Sequence, residues 1–126
     1  MHKSRLAGFI IDCRTDDLKF AAEFWGGALG METRTLPGEE GNHYVRLVDA
    51  HERLHIEVQA VSHESRVHLD IETDDVEAEV RRLEQLGAKR VEKINTWWVM
   101  EAPTGQRFCV VRAKSSSFAA GSQTWE

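Results

Sequence analysis

Long apolar runs are missing from this chain. None of its hydrophobic stretches approaches the roughly 20 residues that cross a bilayer, so no membrane partner is expected. The opening "MHKSRLAGFIIDC" leads at once into acidic residues, with Asp12, Asp16 and Asp17 close together, and reads as a first strand and not as a signal peptide. Basic charge is short as well: 16 Lys and Arg stand against 21 Asp and Glu, a net charge of −5. Nothing would then displace counterions from a phosphate backbone, and no nucleic-acid partner is expected. The one local basic cluster, Arg81, Arg82, Lys89 and Arg90, alternates with acids and reads as a solvated face. Cysteine is scarce: Cys13 and Cys109 sit inside the apolar runs "FIIDC" and "RFCVV", which predicts buried free thiols in a cytoplasmic protein. A Gly-x-Ser-x-Gly elbow and a Walker-type loop are both absent, which removes two common enzyme classes. What remains, with 41% hydrophobic and 29% charged residues, is the composition of a soluble globular chain, and a length of 126 residues predicts a single domain over 1–126.

The informative feature is a repeat. "IDCRTDDLKFAAEFWGGALG" and "LDIETDDVEAEVRRLEQLG" share a frame in which Asp12, Thr15, Asp16 and Asp17 recur 58 residues later as Asp70, Thr73, Asp74 and Asp75. Each phrase follows a strand-like run (Leu6 to Cys13, Arg66 to Ile71) and opens a helix. Leu18, Ala21, Ala22, Trp25 and Leu29 form one apolar stripe, and Val76, Val80, Leu83 and Leu86 form the other. The acids cap the first turn, where unpaired amides and the positive end of the dipole favour a carboxylate, and Gly30 and Gly87 end the helices.

After each helix the pattern turns strand-like, with "METRTL", "HYVRLV" and "RLHIEVQAV" in the first half and "AKRVEKI", "TWWVME" and "RFCVVRA" in the second. The expected fold is therefore α+β, two tandem βαβββ modules over about 6–60 and 66–112 with a tail at 113–126. One four-stranded sheet with one helix buries too little on its own, so the copies are expected to pair about an approximate two-fold, as a curved mixed sheet forming a cup. Inward strand residues of such a cup are the default ligand contacts.

"IIDCRTDDLKFAAEFWGGALG", "VHLDIETDDVEAEVRRLEQLGA" and "WWVMEAPTGQRFCVV", in that order, resemble the vicinal oxygen chelate superfamily of glyoxalase I, bleomycin-resistance proteins and extradiol dioxygenases, and within it the glyoxalase-like domains. The resemblance covers residues 6–112. It implies a divalent metal (Zn, Ni, Mn or Fe) held by His, Gln or Glu from the first and last strands of each module. In that pattern a histidine stands eight residues before the residue that opens the helix stripe. His68 meets the count before Val76, whereas the first strand offers Ile10, or Gly8 in a second register, and neither binds a metal. The last-strand position falls on Cys109. In the fourth strand His55, Glu57 and Gln59 share a face: the repeat pairing sets His55 opposite Cys109, while the family pattern selects Glu57, and the register stays open. The metal candidates are thus His68 with His55 or Glu57.

Tyr44, Cys109 and one of the adjacent pair Trp97 and Trp98 are expected to line the cup, since neighbours on a strand point to opposite faces. His43, His51 and His63 are expected at the surface. Two functions follow from the resemblance: a glyoxalase-like protein that binds a small organic molecule with metal-assisted lyase or isomerase chemistry, or a non-catalytic binding or sequestration protein of the bleomycin-resistance type. A homodimer is expected, with the tail "AKSSSFAAGSQTWE" in its contacts because Phe118 and Trp125 gain by docking on apolar surface.

Overall fold

Both Thr-Asp-Asp phrases act as helix starts. In the computed structural model, which describes residues 1–114 and 117–126, helix α1 (Leu18–Leu29) is capped by Asp17, whose carboxylate accepts from the Phe20 amide at 3.0 Å. Helix α2 (Val76–Gln85) is capped by Asp75 through the Ala78 amide, also at 3.0 Å. The threonines tighten the same turns, Thr15 accepting from the Asp17 amide and Thr73 from the Asp75 amide. Gly30 ends α1 with φ 67°, a left-handed conformation that other residues adopt at a cost.

The chain divides into two compact units. The first, Gly8–His68, holds most of strand β1 (His2–Arg14), then α1, β2 (Glu32–Thr35), a short 3-10 turn, β3 (Tyr44–Val48) and β4 (His55–Val61). Strand β4 runs parallel to β1 and antiparallel to β3, which pairs antiparallel with β2, so the order is β2-β3-β4-β1. Helix α1 covers one face. Ile11, Leu47, Ile56 and Val58 pack there against Ala21, with Phe9, Leu18 and Trp25 at the margin, and each fully buried aliphatic side chain contributes about 1.5–3 kcal/mol. A Cβ on Gly8 would lie 1.9 Å from the His55 carbonyl oxygen, so the close approach of β1 to β4 requires glycine at that point.

The second unit consists of residues 1–7 and Leu69–Glu126. It repeats the plan with β5 (Arg66–Thr73), α2, β6 (Lys89–Ile94), β7 (Trp97–Glu101) and β8 (Arg107–Arg112), in the order β5-β8-β7-β6 and with β5 parallel to β8. Val80, Leu83, Met100 and Val110 form its core, with Ile71, Val76, Trp98 and Phe108 packed on it. Each unit is β-α-β-β-β, the α+β plan of the glyoxalase-like fold.

Strand β1 begins at His2, four residues before the expected start, because the amino terminus is tied to the second unit. The Lys3 amide donates to Asp74 at 2.8 Å, and the Lys3 carbonyl accepts from the Thr73 hydroxyl at 2.7 Å. His2 and Arg82 both bond the carboxylate of Glu79, which is fully buried.

The tail docks on its own chain. Past Ser115 and Ser116, the part of the connector that lies outside the described residues, it forms α3 (Phe118–Gly121) and β9 (Gln123–Trp125), which pairs antiparallel with β1. Phe118 is buried, and the Trp125 indole donates to Ser4 Oγ at 2.8 Å beneath the Arg82 guanidinium, 3.8 Å from the ring centroid. The expected solvated basic face is corrected here. Arg82 is held by Glu79 and Trp125, and Arg90 by Glu77, Glu84 and the Trp98 ring, so both serve packing.

Candidate functional site

Strand alternation decides what the first unit shows on the face that α1 leaves uncovered. With Ile11, Leu47, Ile56 and Val58 turned to the helix, the intervening residues turn the other way. They lie in cross-strand rows. Tyr44, Gln59 and Asp12 make one row, Arg34, Arg46, Glu57 and Ile10 the next, and His55 with Gly8 a third. This face is polar where the opposite one is apolar, and polar side chains on a sheet face are costly unless paired.

Most of them are paired. The Gln59 amide donates to the Tyr44 hydroxyl at 2.9 Å, and His55 Nε2 meets Glu57 Oε2 at 2.9 Å. Asp12, only 2% exposed, is bonded to His68 Nδ1 through Oδ2 at 2.7 Å, with Arg66 Nε 3.7 Å away. That bond fixes the imidazole: with Nδ1–H donated to the carboxylate, the neutral ring carries its lone pair on Nε2. Asp12 Oδ1 and Arg46 Nε are buried with no hydrogen-bond partner among the described residues. Beside them, Cys13 lies on the helix side of β1, where burial pushes its thiol upward, the Trp25 contact opposes this and the Asp12 charge adds to it. A thiol so placed is a packing residue and not a nucleophile.

In the second unit the residues of β7 and β8 alternate likewise. Trp98 packs on the α2 side with Met100 and Val110, so of the adjacent pair Trp98 belongs to the core and Trp97 to the opposite face, with Val99 and Cys109. Cys109 is half-buried and stands in register with Asp70. His68 and Asp70, two residues apart on β5, share a strand face. His43, His51 and His63 are exposed.

The open strand-four register is settled by comparing the two units. Asp70 pairs with Cys109 in the second, and its repeat counterpart Asp12 pairs with Gln59 in the first. Gln59, not His55 or Glu57, is therefore the counterpart of Cys109. A loose alignment through Arg53 and Arg107 misses this because β4 begins only at His55. The other overlooked residue is Asp12, which reads in sequence as the anchor of the repeat; its bond to His68 spans 56 residues and no local pattern announces it.

These placements test the family's metal set. Its four positions are occupied by Ile10, Gln59, His68 and Cys109. Ile10 is a buried hydrophobe without a donor atom, and the Gln59 amide is engaged by Tyr44. One imidazole, one amide and one thiol make neither a 2-His-1-carboxylate set nor a four-ligand set of nitrogen and oxygen donors. The residues do not fit the family's metal, and no chemical step is derived through one.

A family model described as a glyoxalase-like domain matches residues 8–111. Among curated proteins none matches significantly. Solved structures share the fold at low identity. Methylmalonyl-CoA epimerase from Mycobacterium tuberculosis is 18% identical, with a TM-score of 0.64 over 92% of this chain and 91% of that one. A glyoxalase/bleomycin resistance protein/dioxygenase superfamily member from Vibrio splendidus is 16% identical, with a TM-score of 0.55 over 87% and 99%. The Mn(II)-bound glyoxalase from Novosphingobium aromaticivorans is 15% identical, with a TM-score of 0.60 over 89% of this chain and 40% of that one.

Proposed function

Because this chain belongs to the glyoxalase-like domain family of the vicinal oxygen chelate superfamily, we propose that it binds a small organic molecule on the helix-free face of its first unit, with Asp12 and His68 as the polar anchor and without the family's metal. Asp12 carries this reading. One oxygen of a nearly inaccessible carboxylate is spent on His68, and the other is left without a partner among the described residues. A buried acceptor in that state costs about 1–3 kcal/mol, and a hydroxyl or amino group of a ligand would recover it. Tyr44 and Gln59 stand next to Asp12 in the same row and supply an aromatic wall and a carbonyl oxygen.

Protein-observed NMR with a mixture of small polar fragments tests this. Bound fragments should shift resonances of Asp12, Gln59, Tyr44 and His68, and His68→Ala should weaken binding about tenfold while lowering the melting temperature by only a few degrees. Fragments that instead perturb α1, or that bind His68→Ala unchanged, sink the reading.

The second reading, metal-assisted lyase or isomerase chemistry, is favoured by one observation: the carboxylate of Asp70 and the thiol of Cys109 stand in register on β5 and β8 of the second unit. Self-association is a further part of the proposal. Phe20 and Phe24 lie one turn apart on α1 and are 68% and 58% exposed, an apolar pair suited to a second copy of the chain because two-fold dimers bury the same patch twice. The docked tail is not needed for such contacts.

A further inference from the structure

The row next to Asp12 holds a charge arrangement that the reading so far leaves unused. Arg34 on β2 and Arg46 on β3 are direct cross-strand partners on the helix-free face of the first unit. Like charges directly opposite each other are destabilising. Among the described residues neither guanidinium makes an ion pair or a side-chain hydrogen bond, and the Nε of half-buried Arg46 is sealed from solvent without an acceptor. A natural partner exists: Glu57 lies opposite Arg46 on its other side. Its carboxylate is turned instead to His55, at 2.9 Å. The result is two forked donors at cross-strand partner positions, with the nearest carboxylate in the row already committed.

We propose that Arg46, assisted by Arg34, is an oxyanion subsite, and that the small molecule bound on this face carries a carboxylate or phosphate group. The inference rests on the reading above and adds the class of ligand to it. Guanidinium groups present planar forks that match two oxygens of such a group, and hydrogen bonds to a charged acceptor are about twice as strong as neutral ones. The group relieves the Arg34–Arg46 repulsion and satisfies the buried Nε. Asp12, in the neighbouring row and of opposite charge, repels the same oxyanion, so the anion sits toward β2 and β3 and the hydrogen-bond donor of the ligand toward β1.

Calorimetry and thermal melting on the full chain with three probes of one ring size test this: benzoate, phenyl phosphate and benzamide. One of the two anions should bind and raise the melting temperature, and the neutral amide should bind at least about tenfold more weakly. The stronger of benzoate and phenyl phosphate identifies the oxyanion. Arg46→Met keeps the apolar stem and removes the fork; it should abolish the anion preference without lowering the melting temperature of the unliganded protein, since a guanidinium without a partner is removed from opposite another. Arg34→Gln, at an exposed position, should reduce anion affinity several-fold with the fold intact. A structural role for Arg46 predicts the reverse, a lower melting temperature on Arg46→Met with unchanged affinity, and overturns the subsite. Equal binding of benzamide and benzoate, or no binding of either anion, overturns it too. If benzamide binds at Asp12 and Gln59 as tightly as either anion, and all three probes bind Arg46→Met unchanged, the oxyanion subsite falls while the small-molecule reading stands.

Discussion

Replacing Glu79 with alanine should destabilise the protein by about 3 kcal/mol, near the lower bound for removing one member of a buried charge cluster, and lower the melting temperature by roughly 10 °C. The carboxylate is completely buried and receives two bonds from Arg82, at 2.9 and 2.8 Å, and a third contact from His2 at 2.8 Å. Burial alone would drive its proton affinity up. The hydrogen bonds from Arg82, His2 and Ser4 outweigh it, and the group titrates below the ordinary glutamate range. The sign of the pH dependence follows. A carboxyl whose folded value is depressed contributes stability that is fully present above the unfolded value, about 4.3, and is lost as the pH falls through the folded value. Chemical denaturation of the wild type should therefore show stability falling steeply below about pH 4.3, and Glu79→Gln should flatten that slope. Glu77, also lowered, chiefly by its bonds from Arg90, acts in the same direction but from an exposed position and contributes less. A Glu79→Ala protein as stable as wild type, with the same acid limb, would show that the cluster is not what joins β1 to α2.

Ending the chain at Ala113 should cost a similar amount, about 3 kcal/mol or roughly 10 °C. The deletion removes the β9 pairing with β1, exposes the surface under buried Phe118 and strips Trp125 from Arg82 and Ser4. The full burial of one large side chain contributes about 1.5–3 kcal/mol, and a cation–π contact a further 0.5–1 kcal/mol or more. Because Trp125 stacks on the same Arg82 that holds Glu79, truncation and Glu79→Ala share a partner, and their combined effect should be smaller than the sum. Light scattering on both proteins tests self-association as well. A dimer unchanged by truncation, and disrupted by Phe20→Ser with Phe24→Ser, agrees with contacts through α1; a monomeric full chain at micromolar concentration removes the dimer.

Legibility followed the range of the interactions. The helices were readable because caps, apolar stripes and terminal glycines act within a few residues: α1 and α2 start directly after Asp17 and Asp75. The strands were readable from alternation, and the repeat exposed the β-α-β-β-β plan. Glu79 carried a signal that could have been used, an acid inside the apolar stripe between Val76 and Leu83, where only a paired carboxylate is tolerated. Its partner His2, 77 residues away, carried none. In the candidate site the face of each strand was readable and the register was not. A two-residue shift exchanges Glu57 for His55 or Gln59 without changing the face, and only the observed pairing of Asp12 with Gln59 fixes the counterpart of Cys109. Asp12 itself looked like punctuation before a helix. Its role as the partner of His68 depends on contact across 56 residues, which periodicity cannot supply.

The central claim is that the polar face around Asp12 and His68 binds an organic molecule without the family's metal. The most direct test is the affinity of the full chain for the fragment identified by NMR, measured on protein purified without chelator and again after exhaustive treatment with EDTA, with metal content determined on both samples. The account predicts substoichiometric Zn, Ni, Mn and Fe before treatment, the same affinity after it, and a loss of about tenfold on His68→Ala. Stoichiometric metal that disappears with EDTA, taking ligand binding with it, would contradict the account and establish the metal-assisted reading.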